Sequence, residues 1–143
     1  MSKARLRVAI RRLKHGMEHQ NRLVIALWMW ALFLLHETFV RTYDLYRIVP
    51  MIDVVSHFLA GIALGATFLW FAYRAKYYHT NWVSIAGVII ASLIWEGVEI
   101  VQQWVIINPP YLIDIFFWDG FFDIIFALLG TLTFLLIRTF REE

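Results

Sequence analysis

No cysteine occurs anywhere in the chain, which excludes disulfides, thiolate zinc sites, iron–sulfur clusters and cysteine nucleophiles. Charge is also scarce. Asp, Glu, Lys and Arg make up 17% of the 143 residues, whereas 61% are hydrophobic, and the net charge is +2. No internal repeat, low-complexity tract or linker long enough to join a second domain interrupts the sequence. The apolar share exceeds the roughly 45–50% usual in soluble domains, and the mean hydropathy is +0.64. One core of this size cannot enclose so much Phe, Trp, Ile and Leu, so lipid is expected to solvate much of the surface.

Four apolar runs are long enough to cross about 30 Å of hydrocarbon as helices, which takes about 20 residues each: 23–40, 48–73, 82–107 and 120–137. Short polar connectors separate them. Pro109 and Pro110 are expected to end the third run, because proline removes a backbone donor and restricts the residue before it. The fold class expected is all-α: a polytopic four-helix membrane bundle spanning 23–143, preceded by an amphipathic helix over 1–22.

That first segment repeats Leu6, Ile10, Leu13 and Met17 at helical spacing opposite Lys3, Arg5, Arg7, Arg11, Arg12 and Lys14. This pattern predicts a retained basic helix lying against anionic lipid headgroups, with no cleavage site after it and nucleic acid not expected as a partner. Placing the amino terminus in the cytoplasm puts eleven of the thirteen Lys and Arg on the inner side, leaving Arg41 and Arg47 outside. This asymmetry satisfies the positive-inside rule, so both termini are expected in the cytoplasm and the chain in the cell membrane.

Given that topology, depth follows from the rise of about 1.5 Å per helical residue. His36 and Glu37 fall at the outer end of the first span, Asp53 and His57 at the outer start of the second, and Asp119 and Asp123 at the start of the fourth. In the third span Glu96 and Glu99 lie about 21 and 25 Å beyond Trp82, with Gln103 extending their stripe. Four spans therefore bring ionisable groups to one leaflet. Facing lipid, six acids at about 2.5–3.5 kcal/mol each would cost roughly 15–20 kcal/mol, as much as a whole domain's stability or more. They are expected to face one another inside the bundle, neutralised by protons, by Arg41, Arg47 and the histidines, or by a cation.

Small residues support an interior seam. Gly61 and Gly65 follow His57 on one helical face, and Asp119, Asp123, Ala127 and Gly130 form a polar-then-small stripe on the last span. Trp82, Trp104, Tyr111 and Trp118 are expected as interfacial anchors. Glu37 and Arg41, four apart, are expected to form a helix-end ion pair. His15, His19 and His79 are expected to be solvated, and Asp114 to lie in the outer connector.

Three segments, MIDVVSHFLAG, IWEGVEI and FFWDGFFDIIFALLG, resemble the conserved blocks of the YjdF-type integral membrane proteins. Those blocks read Asp-x-x-x-His-Phe-x-x-Gly, Tyr-Glu-x-x-Glu and Trp-Asp-x-x-x-Asp-x-x-x-Ala-x-x-Gly. A more distant likeness is to the VanZ-like family, linked to teicoplanin resistance. The resemblance covers residues 47–133 and implies a site at Asp53, His57, Glu96, Glu99, Asp119 and Asp123. The chain departs by having fewer spans than longer YjdF-type members, and Ala127 where VanZ-like proteins usually carry Asn. No established reaction comes with the YjdF-type pattern.

Oxygen ligands with an imidazole suit a divalent metal such as manganese, iron, zinc or magnesium. The expected site takes Asp53, His57, Glu96, Glu99, Asp119 and Asp123 as metal ligands, acting on a lipid or lipid-linked substrate. Glu96 or Glu99 would serve as general base and His57 as ligand or acid. Glu-x-x-His pairs, the mark of di-iron bundles, are absent. Two other classes stay open: proton or cation translocation through the intramembrane acids, and a non-catalytic subunit or scaffold in a homo-oligomer or larger membrane complex.

Overall fold

A computed structural model describes the backbone of residues 3–49, 51–107 and 113–142 and, within these, the side chains of 20–49, 51–102 and 118–140. Five helices follow in order: α1 (Lys3–Thr42), α2 (Leu45–Ile48), α3 (Ile52–Arg74), α4 (Thr80–Ile107) and α5 (Ile113–Glu142), with no strand among the described residues. Four contain 23-residue segments long and apolar enough to cross a membrane: Gln20–Thr42, Ile52–Arg74, Thr80–Gln102 and Trp118–Phe140. The chain is an all-α membrane bundle.

Boundaries differ from expectation in three places. The basic segment expected as a surface helix is helical but runs into the first span without a break, as one 40-residue helix. It holds no proline, and its single interior glycine, Gly16, costs only about 1 kcal/mol relative to alanine, so nothing in the sequence stops the helix. The second long helix starts at Ile52 rather than 48, because a separate turn, α2, takes up Leu45–Ile48. α5 starts at Ile113, so Asp114, expected in a connector, lies in its first turn. Pro109, Pro110 and Tyr111 lie outside the described residues, as do the side chains of His15, His19, Gln103 and Trp104. Trp82 and Trp118 are exposed.

The bundle is built around α3, which packs on α1, α4 and α5, while α4 also packs on α5. Among the described residues α1 meets no long helix except α3. Hydrophobicity gives little reason for one apolar helix to prefer another over lipid, so contact must come from close fit and interhelical hydrogen bonds. The α3–α5 seam supplies both. A Cβ on Gly61 would run into the main chain of Ala127, 2.6 Å from its Cα, and one on Gly130 would collide with the Phe58 carbonyl. The two backbones touch because these positions have no side chain. Four residues after Ala127, the buried Thr131 hydroxyl donates to the carbonyl oxygens of Gly61 (2.9 Å) and Ala127 (3.0 Å). On the α4 side, the buried Ser84 hydroxyl donates to the Gly65 carbonyl at 2.7 Å.

Thr131→Val keeps the shape and removes the bond. It should destabilise the fold by about 0.6–1.7 kcal/mol, the range found for hydrogen bonds between membrane helices, read as a lower unfolding midpoint in detergent. An unchanged midpoint would show that the bond contributes nothing.

α1 is held to α3 by different chemistry. Trp30 Nε1 donates to Thr67 Oγ1 at 2.9 Å, and Thr67 passes its own proton to the Ala63 carbonyl at 2.8 Å. Ala26 and Val40 of α1 are buried as well. The opposite face of α1 exposes Leu27, Trp28, Leu35 and Phe39, as a lipid-facing helix should.

Candidate functional site

The helices alternate in direction, so the start of α3, the later part of α4 and the early part of α5 lie at one end of the bundle. There α3 presents Asp53 and His57 one turn apart, and the Gly61–Ala127 contact draws α5 close enough to set Asp123 opposite them. His57 Nε2 lies 3.4 Å from Asp53 Oδ1 and 3.3 Å from Asp123 Oδ2. One ligand atom from each of the three residues falls within 4.8 Å of the others. Exposure grades across the group, from 7% for the Asp123 side chain through 17% for His57 to 46% for Asp53. Asp123 is the floor and Asp53 the mouth.

The two contacts of His57 have an informative length. A charge-assisted hydrogen bond between imidazolium and carboxylate closes to about 2.7–2.9 Å. Here one nitrogen faces two carboxylates and reaches neither at that distance, because a single N–H cannot point at both. Ligands about 2.1 Å from a tetrahedral ion, by contrast, sit about 3.4 Å from each other. Two carboxylates and one imidazole also carry the charge that a divalent cation would balance, in surroundings where unbalanced charge is costly.

Glu96 borders this group. Its carboxylate lies on Gly120 of α5, with Cδ 3.0 Å from where a Cβ would stand. Gly120 precedes Asp123 by three residues, about 4.5 Å along the helix. Any side chain at 120 would displace the carboxylate. Glu99, expected to act with Glu96, accepts a hydrogen bond from Trp95 Nε1 of its own helix at 2.7 Å and stands outside the three-residue group. Asp119 is exposed at the rim. Of the six residues singled out in the sequence, the structure thus brings Asp53, His57 and Asp123 together, places Glu96 beside them, and leaves Glu99 and Asp119 peripheral.

A second polar group adjoins the first. Glu37 pairs with Arg41 at 3.1 Å, the helix-end ion pair expected, and also accepts from the Tyr46 hydroxyl at 2.7 Å. Buried Ser56 connects this to α3, its Oγ lying 3.1 Å from Tyr46 OH and 3.0 Å from His36 Nε2. Burial, reinforced by the bond to the Glu37 carboxylate, pushes the Tyr46 phenol up to about 12, so it stays a donor at neutral pH. Sequence reasoning passed over Ser56 and Tyr46. A serine within an otherwise apolar helix start, next to His57, was the signal available for the first.

Compared with family models, curated proteins and solved structures, the chain matches none.

Proposed function

We propose that Asp53, His57 and Asp123 bind a divalent cation at one end of the membrane bundle and that the site acts on a phosphoester of a lipid or lipid-linked substrate. One observation carries the reading: a single imidazole nitrogen stands between two carboxylates, 3.4 and 3.3 Å away, a spacing that ligands sharing one ion would also have. Three protein ligands and an open side are what a catalytic metal site requires, since a water or substrate oxygen must take the remaining position. The more exposed Asp53 puts that open side toward the bundle end, where headgroups lie.

The chemistry follows from the ion and its neighbours. A bound divalent metal polarises a phosphoryl oxygen and acidifies a coordinated water. Glu96 would accept the proton of the attacking water as the water's oxygen bonds to phosphorus and the bond to the leaving alcohol breaks, and the alcohol oxygen would take up a proton. The three-block resemblance to YjdF-type proteins supports the same residues. The positive-inside asymmetry supports a site near the outer face and termini in the cytoplasm.

Translocation of protons or cations draws less support. Between the site and the other end, the buried hydroxyls of Thr131 and Ser84 donate to backbone carbonyls, and no buried ionisable residue continues a path among the described residues.

Elemental analysis and equilibrium dialysis against manganese and zinc, on full-length protein purified in mild detergent without chelator, test the proposal. About one metal ion per chain is expected, released on acidification because protons compete for the same lone pairs. Less than a tenth of an equivalent after dialysis, from protein that remains folded, would refute it.

A further inference from the structure

The first turn of α3 has little local support. Met51 precedes it in left-handed backbone (φ 64°), and no side chain caps it. Asp44, before the α2 turn, is left-handed as well (φ 51°), a conformation that residues other than glycine adopt at a cost. The amides of a first helical turn lack intrahelical partners, and helix ends open more readily than helix interiors. Asp53 stands in that turn and His57 one turn later. Whatever holds this stretch also sets the geometry of the carboxylate site.

Four side chains from α1, α2 and α3 meet there, and their protons have one arrangement that satisfies every contact. The Glu37 carboxylate, paired with Arg41 at 3.1 Å, can only accept, so the Tyr46 hydroxyl spends its one proton on it at 2.7 Å. Ser56 Oγ, 3.1 Å from Tyr46 OH, must then supply the proton of that contact. With its proton spent, Ser56 can only accept from His36 Nε2 at 3.0 Å, which makes His36 the tautomer protonated on Nε2. The row runs one way, from His36 through Ser56 and Tyr46 to Glu37. The same count excludes Ser56 as a nucleophile activated by His36, since its proton points away from the imidazole.

We propose that Tyr46 is a positioning residue: through Ser56 it ties the first turn of α3 to α1 and α2, and so holds Asp53 and His57 against Asp123. The consequence for metal binding rests on the reading of those three residues as a cation site, but the tie itself needs no ion. Ser56 lies three residues after Asp53 and directly before His57, so a bond to its side chain fixes the rotation of the stretch that carries both. Burial, then the charges of Glu37 and Asp53, keep the Tyr46 phenol protonated, which places Asp53 within electrostatic reach of the row. Successive donors polarise one another, so deleting the central hydroxyl weakens the whole row. Ser56 then turns its proton back on the Ile52 carbonyl of its own helix, 3.4 Å away, and the side-chain link to α2 is gone.

Tyr46→Phe and Ser56→Ala, in full-length protein in mild detergent, test the proposal against Thr67→Val. That control removes another bond between α1 and α3, the one from Trp30, about 15 Å along α3 from His57. In metal-free protein, amides 52–60 of Tyr46→Phe and Ser56→Ala should exchange with deuterium about 3- to 20-fold faster than in wild type, as loss of one bond between membrane helices implies. Amides 61–74 should keep the wild-type rate, and Thr67→Val should leave 52–60 unchanged. Manganese affinity should fall about tenfold or more in Tyr46→Phe and stay at the wild-type value in Thr67→Val. Imidazole nitrogen shifts should show His36 protonated on Nε2. Unchanged exchange over 52–60 in both variants overturns the proposal, as does a His36 proton on Nδ1. Acceleration spread evenly along α3, or an equal loss of manganese in Thr67→Val, would make Tyr46 a general stabiliser and overturn it too. Wild type that binds no manganese refutes the cation reading alone, and exchange over 52–60 then decides whether the tie exists.

Discussion

Leucine in place of Gly61 should separate α3 from α5 and abolish the folded bundle. At this position a Cβ alone would penetrate the Ala127 carbonyl, and backbone cannot step aside as the tip of a flexible side chain can. Overpacking a core typically costs about 1–3 kcal/mol when side chains can adjust. Here two helix axes must move apart instead. That motion also breaks the bond from Thr131 to the Gly61 carbonyl and withdraws Asp123 from His57. A loss of more than about 3 kcal/mol is therefore expected, seen as loss of a cooperative unfolding transition in detergent together with loss of bound metal.

The same chain supplies the control. Gly97, on α4, has nothing within 4 Å of where its Cβ would lie. Gly97→Ala should leave packing untouched and raise stability by up to about 1 kcal/mol, since alanine loses less backbone entropy in a helix. If Gly61→Leu and Gly97→Ala gave equal midpoints, the close α3–α5 contact would not exist.

Removing a carboxylate at the floor of the site should have the second largest effect. Asp123→Asn keeps volume and one oxygen but loses the charge, and His57→Ala removes the nitrogen on which both contacts converge. Loss of even an outer partner of a metal ligand costs about 10–100-fold in affinity, so loss of either of these should exceed about 100-fold. Glu99→Gln should leave affinity as it is, because its carboxylate is engaged by Trp95. Glu96→Gln should spare binding and depress turnover of a phosphoester substrate. The pattern across the four variants is the test. Were the three residues only an ion triad, wild type would hold no metal, and Asp123→Asn would instead lower the unfolding midpoint by leaving a buried partner unmatched.

Periodicity made much of this arrangement legible in advance. It located the spans, and it put Gly61 and Gly65 below His57 and Ala127 and Gly130 below Asp123, which is the seam the structure uses. The four-residue spacing of Asp53 and His57 placed them on one face, and depth counting brought Asp123 level with them. What periodicity does not carry is which neighbour a face meets. Glu96 and Glu99 differ by about 60° around α4. That angle separates a carboxylate resting on Gly120 from one turned to Trp95, and it acquires meaning only once α5 is known to lie alongside. Likewise Tyr46 and Ser56 meet across two helices and a turn, with no repeat to announce it. The turn itself depends on left-handed backbone at Asp44 (φ 51°) and Met51 (φ 64°), a conformation that methionine rarely signals. The uninterrupted α1 was hidden for a simpler reason: a change from basic to apolar composition looks like a boundary, but the backbone registers only glycine, proline and caps.

The single seam between α1 and α3 divides responsibility within the molecule. Every group proposed to hold or serve the metal comes from α3, α4 or α5, so the proposed constellation takes no ligand from the first helix. Substitutions on the lipid-facing surface of α1 should therefore leave the ligand geometry as it is. Only the side of α1 that carries His36 and Glu37, joined to Ser56 and Tyr46, reaches the neighbourhood of the ligands.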